Sequence, residues 1–145
     1  MSAPPATVLD ASALLAYLFE EPGAAEVERA LKDQAVISAV NWAEVVSKFA
    51  DRGESPDAAR KRLIDHGVLG TVLDVVPFDE AQACETARLR QPTRRAGLSL
   101  GDRACLALGL SRNLPVMTAE RSWRSLDVGV RLITIRWSSP PAPPR

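Results

Sequence analysis

The sequence has few of the residues that mark the commonest kinds of functional site. Of its 145 residues, two are cysteine and one is histidine. Two cysteines are too few for the disulfide framework of a small secreted scaffold. It contains no glycine-rich phosphate loop and no Ser-His-Asp order. No stretch approaches the roughly 20 apolar residues that span a membrane. These absences exclude a disulfide-stapled protein, a P-loop enzyme and a triad hydrolase, and they favour a soluble protein.

Net charge is absent as well. The 18 basic and 18 acidic residues cancel, so the overall charge does not indicate nucleic-acid binding. Among the basic residues only Lys32, Lys48 and Lys61 are lysine, and all the others are arginine. Arginine makes bidentate phosphate contacts better than lysine does. A genome-wide coding bias towards arginine, alanine and proline explains the same excess equally well.

Length and composition predict one soluble domain. Hydrophobic residues make up 46% and charged residues 25% of the chain, as in ordinary globular domains. We expect this domain to span residues 1–137, followed by a flexible proline-rich tail over residues 138–145. Residues 1–7 carry no basic residue ahead of an apolar run, so we expect no secretory signal and a cytoplasmic location. Cys84 and Cys105 lie in helix-like apolar patterns and are predicted to be reduced core residues.

Strand-like and helix-like segments alternate along the chain. The predicted strands cover residues 7–10, 35–38, 72–76, 116–118 and 131–135. The predicted helices cover residues 13–19, 24–32, 42–51, 56–66, 79–90 and 99–112. Helices that connect parallel strands pack on both faces of the sheet. The pattern therefore predicts an α/β fold, a three-layer α/β/α sandwich around a mostly parallel central sheet, with ligands bound beyond the carboxyl ends of the strands.

Four acidic residues fall at the predicted carboxyl edge. Asp10 ends the first strand, and Glu120 follows the fourth. Glu44 comes shortly after the second strand, and Asp102 lies in the first turn of an almost wholly apolar helix. Four carboxylates at one edge repel one another unless a cation neutralises them, and oxygen ligands favour Mg²⁺ or Mn²⁺. A carboxylate-bound metal pair suits phosphodiester hydrolysis, because one ion activates water while the other stabilises the leaving oxygen.

Each acid also has a structural interpretation. Asp10 is a favoured N-cap for the helix that follows it. Glu44 would complete a capping box if Asn41 were the N-cap, and Asp102 would do the same with Ser99. Glu120 would then be a surface residue of a loop. Taken singly, the four positions leave both interpretations open.

Four short blocks of the sequence resemble those of PIN-domain proteins. They are residues 8–14 (VLDASAL), 38–45 (SAVNWAEV), 97–107 (GLSLGDRACLA) and 118–123 (TAERSW). Their order and spacing resemble most closely the VapC-type toxins of bacterial toxin–antitoxin pairs, from about Thr7 to Ile135. The resemblance implies a Mg²⁺-dependent endoribonuclease, with Mn²⁺ as a possible substitute, that leaves a 5′-phosphate and a 3′-hydroxyl. It also implies neutralisation by a cognate VapB-type antitoxin, and a homodimer that binds this antitoxin across the acidic cleft.

The resemblance also implies roles for individual residues. The principal metal-binding and catalytic acids would be Asp10, Glu44 and Asp102. Glu120 stands where the family usually has aspartate, so its longer side chain would bind a second, weaker ion directly or through water. Ser12 and Thr118 match supporting hydroxyls that orient carboxylates or waters. RNA phosphates would be contacted by Arg88, Arg90, Arg94, Arg95 and Arg103, although the first four also fit a solvated face and loop.

Three other kinds of protein place acids at strand ends. A phosphotransfer receiver needs an acidic pair after the first strand and a late lysine, but Asp10 stands alone and no lysine follows Lys61. A haloacid-dehalogenase-type phosphatase needs an aspartate where this chain has Ser12. The third is a non-enzyme, a PIN-like RNA- or protein-binding module that retains the acids. The departure at Glu120 keeps this alternative open.

Overall fold

The computed structural model describes residues 4–135. Over this range the strands form a five-stranded sheet of order β3-β2-β1-β4-β5, and every pairing in it is parallel. The strands are β1 (Thr7–Leu9), β2 (Ala35–Ser38), β3 (Leu73–Val76), β4 (Val116–Thr118) and β5 (Leu132–Thr134). The helices are α1 (Ala11–Leu18), α2 (Ala24–Lys32), α3 (Ala39–Asp51), α4 (Pro56–Asp65), α5 (Glu80–Arg88) and α6 (Leu100–Arg112). Two short 3-10 helices cover Arg94–Ala96 and Arg121–Ser125.

Side chains alternate between the two faces of the sheet, which divides the core in two. Val8 and Val36 pack with α6 on one face, whereas Leu9 and Ile37 pack with α1 to α4 on the other. All four of these side chains are at most 2% exposed. Burying an aliphatic side chain of this size stabilises the fold by about 1.5–3 kcal/mol. The predicted three-layer sandwich is confirmed.

Helix α6 is the most deeply buried helix, and glycine allows its close approach to the sheet. A Cβ atom at Gly109 would lie 2.5 Å from Val116 Cγ2 and 3.1 Å from the Leu114 carbonyl oxygen. These contacts are closer than packed atoms tolerate, so only glycine fits here without a shift of the helix or of β4. The close approach lies near the C-terminal end of α6, beside the start of β4.

The helix start that differs most from the prediction is that of α3. Helix α3 begins at Ala39, directly after β2, and not at Trp42. Ser38 is its N-cap, because its backbone is extended and its hydroxyl accepts a hydrogen bond from the Val40 amide. Asn41 is therefore inside the helix, and its predicted capping role, with Glu44 as partner, is wrong.

The two cysteines differ in their surroundings. Both are free thiols, but Cys105 is buried in α6 whereas Cys84 is exposed on α5. The prediction of a core residue is right for Cys105 and wrong for Cys84, because α5 turns that position to the outside of the layer. No helix within residues 4–135 is long and apolar enough to cross a membrane. The predicted domain end at residue 137 and the tail at residues 138–145 lie outside the described residues.

Candidate metal centre

The parallel strands bring the four predicted acids to one cleft at the carboxyl edge of the sheet. Asp10 follows β1 directly, and Glu120 lies just past β4. Glu44 comes from the second turn of α3, and Asp102 from the first turn of α6. The cleft has a volume of about 220 Å³, and its lining includes all four acids. Its other polar lining residues are Ser12, Asn41 and Lys48.

Asp10 is held by two neighbouring hydroxyls, those of Ser12 and Thr118, which come from different elements and lie 3.4 Å apart. It is the N-cap of α1, and Oδ1 accepts hydrogen bonds from the Ala13 amide at 2.8 Å and the Ser12 hydroxyl at 2.7 Å. Oδ2 accepts from the Thr118 hydroxyl at 2.5 Å. Both hydroxyls accept in turn from backbone amides of residues 119–120. The loop after β4 is thereby tied to α1, and the aspartate is both a cap and a fixed member of the cleft.

The cleft carries an excess of negative charge. Burial, with a smaller contribution from the nearby charge of Asp102, raises the pKa of Asp10 to about 6 despite its three hydrogen bonds. Burial also raises the pKa of the Cys105 thiol, and the charges of Asp10, Asp102 and Glu44 add to that effect. Carboxylate charges from three separate elements therefore all raise the pKa of the buried Cys105 thiol. A cation in the cleft would offset the repulsion between these carboxylates.

Glu44 is directed by a neighbouring amide. The Asn41 side chain donates from Nδ2 to Glu44 Oε1 at 2.8 Å and to the Gly101 carbonyl oxygen at 2.9 Å. The Glu44 carboxylate lies over Gly101, where a Cβ atom would come within 2.7 Å of Oε1. The absence of a side chain at position 101 thus provides the space that Glu44 occupies, and Asn41 links α3 to the start of α6.

Asp102 and Glu120 are held less firmly. Asp102 forms a capping box with Ser99, in which Asp102 Oδ2 accepts from the Ser99 amide at 3.0 Å. This is the structural interpretation raised from the sequence, and it occupies one of the two carboxylate oxygens. Glu120 is exposed on the rim, and its backbone amide donates to Thr118 Oγ1 at 3.0 Å. Asp102 therefore has one carboxylate oxygen that is not used by the capping box, and the exposed Glu120 side chain can turn into the cleft.

Within residues 4–135, no three Asp, Glu, His or Cys side chains are arranged as a ready-made metal site. Asn41 holds the Glu44 carboxylate over Gly101 at the start of α6, and the Ser99 amide holds one oxygen of Asp102. The donor set still fits a hard divalent cation, because it consists of oxygen ligands of one charge sign around a buried carboxylate.

Comparison with known proteins identifies the family. The PIN domain family model matches residues 7–129. The chain belongs to the PIN-domain family. The Ribonuclease VapC of Mycolicibacterium smegmatis is 31% identical to this PIN-domain protein over 125 residues, which cover 83% of the chain and 96% of that relative. The resemblance to VapC-type members is confirmed.

Solved structures share the fold of this PIN-domain protein. A chain of the DNA-bound VapBC structure from Salmonella typhimurium gives a TM-score of 0.66 at 18% identity, covering 90% of this chain and 98% of that one. A chain of FitAcB from Neisseria gonorrhoeae gives 0.63 at 22% identity, covering 88% and 96%. A chain of VapBC-5 from Mycobacterium tuberculosis gives 0.55 at 22% identity, covering 92% and 100%. At these identities the likeness supports the fold alone.

Two cleft residues of the PIN domain were missed from the sequence. Asn41 is only 1% exposed; the sequence suggests it only as a possible helix cap, although its spacing of three residues from Glu44 allows a contact on one helix face. Lys48 is one turn beyond Glu44 on α3 and lines the same cleft. The overall composition does not single out Lys48, because basic and acidic residues balance over the chain.

Replacing Asn41 with alanine is expected to lower both stability and activity. The buried hydrogen bond from Asn41 Nδ2 to the Gly101 carbonyl oxygen would be lost, which costs about 0.5–1.5 kcal/mol of unfolding free energy. Glu44 would also lose the hydrogen bond that directs it. Chemical denaturation and RNA cleavage measure the two effects. Ser47→Ala is the control on the same helix, since Ser47 is exposed and bonds only the Ala43 carbonyl oxygen. Equal behaviour of the two variants would contradict the role given to Asn41.

The predicted RNA-binding arginines fall into two groups. Four are exposed around the segment between α5 and α6, namely Arg88, Arg90, Arg94 and Arg95. Arg90 and Arg94 line a cavity of about 170 Å³ together with Thr93. Arg88 pairs with Glu85 on its own helix. This segment leads directly into α6, so it lies next to the turn that carries Asp102.

Arg103 and His66 lie away from the cleft. Arg103 is 8% exposed, and its Nη1 donates to the Thr86 carbonyl oxygen at 3.1 Å, near the C-terminal end of α5. A cation is favourable at that helix end. The expectation that Arg103 contacts RNA is therefore corrected, because its guanidinium is packed between two helices. His66 is exposed at the end of α4, as predicted.

Proposed function

We propose that this protein is a Mg²⁺-dependent endoribonuclease and the toxin of a toxin–antitoxin pair. The observation that carries the proposal is the buried Asp10 carboxylate, which shares a cleft with three further acids. The basic residue in the cleft lining forms no ion pair with any of these acids. The relative from Mycolicibacterium smegmatis is named a ribonuclease, which supports RNA as the substrate. Metal dependence follows from the donor set, because oxygen ligands crowded together need a hard cation.

Each acid has a role in this proposal. Asp10 is the fixed ligand, since three hydrogen bonds orient its oxygens. Glu44 and Asp102 complete the first site with the oxygens that their helix contacts leave free. Glu120 reaches a second, weaker site from the rim. Mg²⁺, when bound, supplies charge neutralisation at the phosphate and a more acidic water. Ser12 and Thr118 keep Asp10 from rotating away, which fixes the geometry of the centre.

RNA contacts are assigned to the exposed arginines beside α6. Arg90 and Arg94 line one cavity, and a phosphate oxygen fits between two guanidinium groups as a charge-assisted acceptor. Arg95 lies next to them, and Arg88 is held by Glu85. These contacts position the RNA backbone without reading its bases.

The proposed partners are an antitoxin and a second copy of the chain. The structures from Salmonella typhimurium and Rickettsia felis are VapBC complexes, which supports a VapB-type antitoxin for this chain. We propose that it binds across the acidic cleft and blocks access to it. The homodimer remains a prediction. Among the described residues, the large hydrophobic side chains that are exposed are Ile64 and Leu100.

A binding module without catalysis is the second candidate. The observation in its favour is that Asp102 caps α6 and that no three acids within residues 4–135 form a ready-made metal site. In that case the acids would stabilise helix starts and the cleft would hold no ion.

Cleavage of total bacterial RNA by the purified, antitoxin-free protein separates the two candidates. We expect discrete fragments with Mg²⁺, none with excess EDTA, and recovery when Mg²⁺ is restored. Fragments that persist in EDTA would contradict a metal-dependent nuclease. Intact RNA under every metal condition, with RNA or protein binding retained, would favour the binding module.

A further inference from the structure

The three lysines of the chain differ in their partners. Lys32 pairs with Glu28 and Lys61 with Asp65, each across one turn of its own helix. Lys48 has an acid at the corresponding distance, since Glu44 precedes it by four residues on α3. Glutamate four residues ahead of lysine is the favourable order for such a pair. Yet among residues 4–135 Lys48 forms no ion pair.

The structure gives the reason. Asn41 draws the Glu44 carboxylate towards Gly101 and the start of α6. This leaves the Lys48 ammonium without its expected partner while its side chain lines the acidic cleft. Lys48 is the one basic residue in that lining. Lys48 is exposed at the cleft and ion-paired with none of the four acids, so its ammonium can bind an anion that enters there.

We propose that Lys48 binds a phosphate oxygen of the RNA backbone as the RNA enters the cleft. The inference rests on the proposed nuclease function and assigns that same site a substrate-binding residue. Four carboxylates and one divalent ion still leave a negative cleft, which repels phosphate. The Lys48 ammonium offsets part of that repulsion, and its flexible stem and rotatable donors follow a phosphate whose position varies.

Lys48→Gln tests this contact, with Lys61→Gln as the matched control on exposed α4. Cleavage of a labelled single-stranded RNA is followed over a range of salt concentrations, and Mg²⁺ affinity is measured by calorimetry without RNA. For Lys48→Gln we expect KM to rise about tenfold, the energy of one charge-assisted contact, with kcat little changed. The slope of log KM against log salt should fall by about 0.7, the value for one phosphate contact on a single strand. Lys48→Arg should restore most of the affinity.

The outcomes separate the two proposals. Mg²⁺ affinity should be unchanged or higher in Lys48→Gln, because a positive charge has left the cleft. A fall in Mg²⁺ affinity would overturn the inference, since Lys48 would then be ordering the acids and not binding RNA. Equal KM values and equal salt slopes for Lys48→Gln and Lys61→Gln would also overturn it, while leaving the nuclease function intact. A wild-type protein that cuts no RNA would overturn both proposals.

Discussion

Replacing Asp10 with asparagine is expected to abolish RNA cleavage and to stabilise the metal-free protein above about pH 6. Loss of a ligand should reduce cleavage more than about 100-fold, the upper range for residues that merely support a ligand. Stability should rise because asparagine removes a buried charge. Its side-chain oxygen still accepts from Ser12 and the Ala13 amide, and its Nδ2 can donate to Thr118 Oγ1, which in the wild type donates to Asp10.

The pH dependence follows from the shifted pKa. The pKa of Asp10 is about 6 in the folded protein, against about 3.9 in an unfolded chain. Between these values the folded state keeps a proton that the unfolded state has lost. Stability of the metal-free protein therefore falls as pH rises from about 4 to 6, by about 1.4 kcal/mol per pH unit at most. Asp10→Asn lacks this decrease and should be about 2–3 kcal/mol more stable than wild type at pH 7.5.

Denaturation at pH 4 and pH 7.5, in EDTA and in saturating Mg²⁺, measures the effect. Mg²⁺ should stabilise wild type and leave Asp10→Asn unchanged, because the ion binds only the folded wild-type cleft. Asp79→Asn is the matched control, since Asp79 is an exposed N-cap of α5 that asparagine can replace. If Asp10→Asn cut RNA at the wild-type rate, Asp10 would not be a ligand of a catalytic ion.

Gly101→Ala is expected to disable the cleft without weakening the fold. The new Cβ would lie 2.7 Å from Glu44 Oε1, so the Glu44 carboxylate must move. The end of a glutamate side chain moves easily, and alanine favours a helix over glycine by up to about 1 kcal/mol. Unfolding free energy should therefore stay constant or rise. Cleavage and Mg²⁺ affinity should fall about 10- to 100-fold, as when a supporting contact of a metal site is lost.

Gly109→Ala, on the same helix, is expected to weaken the fold without disabling the cleft. Its Cβ would meet Val116 and the Leu114 carbonyl oxygen, which are packed in the core. Overpacking there should lower the unfolding free energy by about 1–3 kcal/mol while the specific activity of the folded fraction stays near wild type. Calorimetric Mg²⁺ binding and thermal unfolding of both variants test this contrast. Unchanged Mg²⁺ affinity in Gly101→Ala would show that Glu44 is not a ligand.

The layers of this fold could be predicted from the sequence, because they depend on local patterns. Short apolar runs alternate with helical spacings, and right-handed crossovers place the helices on both faces of a parallel sheet, although they do not fix the strand order. The start of α3 could not be predicted as reliably. Ser38 and Asn41 are both good N-caps, and the choice depends on β2 continuing into the helix without a loop.

The acids of the candidate site and the supporting hydroxyls of Ser12 and Thr118 were predictable, but the contacts of Asn41 and the position of Lys48 were not. Asp10 and Asp102 could be placed at the carboxyl edge, because strand ends and helix starts meet there. The contact of Asn41 with Gly101 joins residues far apart in sequence, and no local sequence pattern predicts it. Arg103 was misplaced for the same reason, since its burial depends on how α5 packs against α6.

The most direct test of the metal centre is a crystal structure of the protein grown with Mn²⁺ and analysed for anomalous scattering. We expect a manganese peak between Asp10, Glu44 and Asp102, with the Asp10 contacts to Ser12 and Thr118 retained. A second, weaker peak near Glu120 would fit the proposed second ion. A cleft without any peak at saturating Mn²⁺, in a protein that still cuts RNA, would contradict a metal centre formed by these acids.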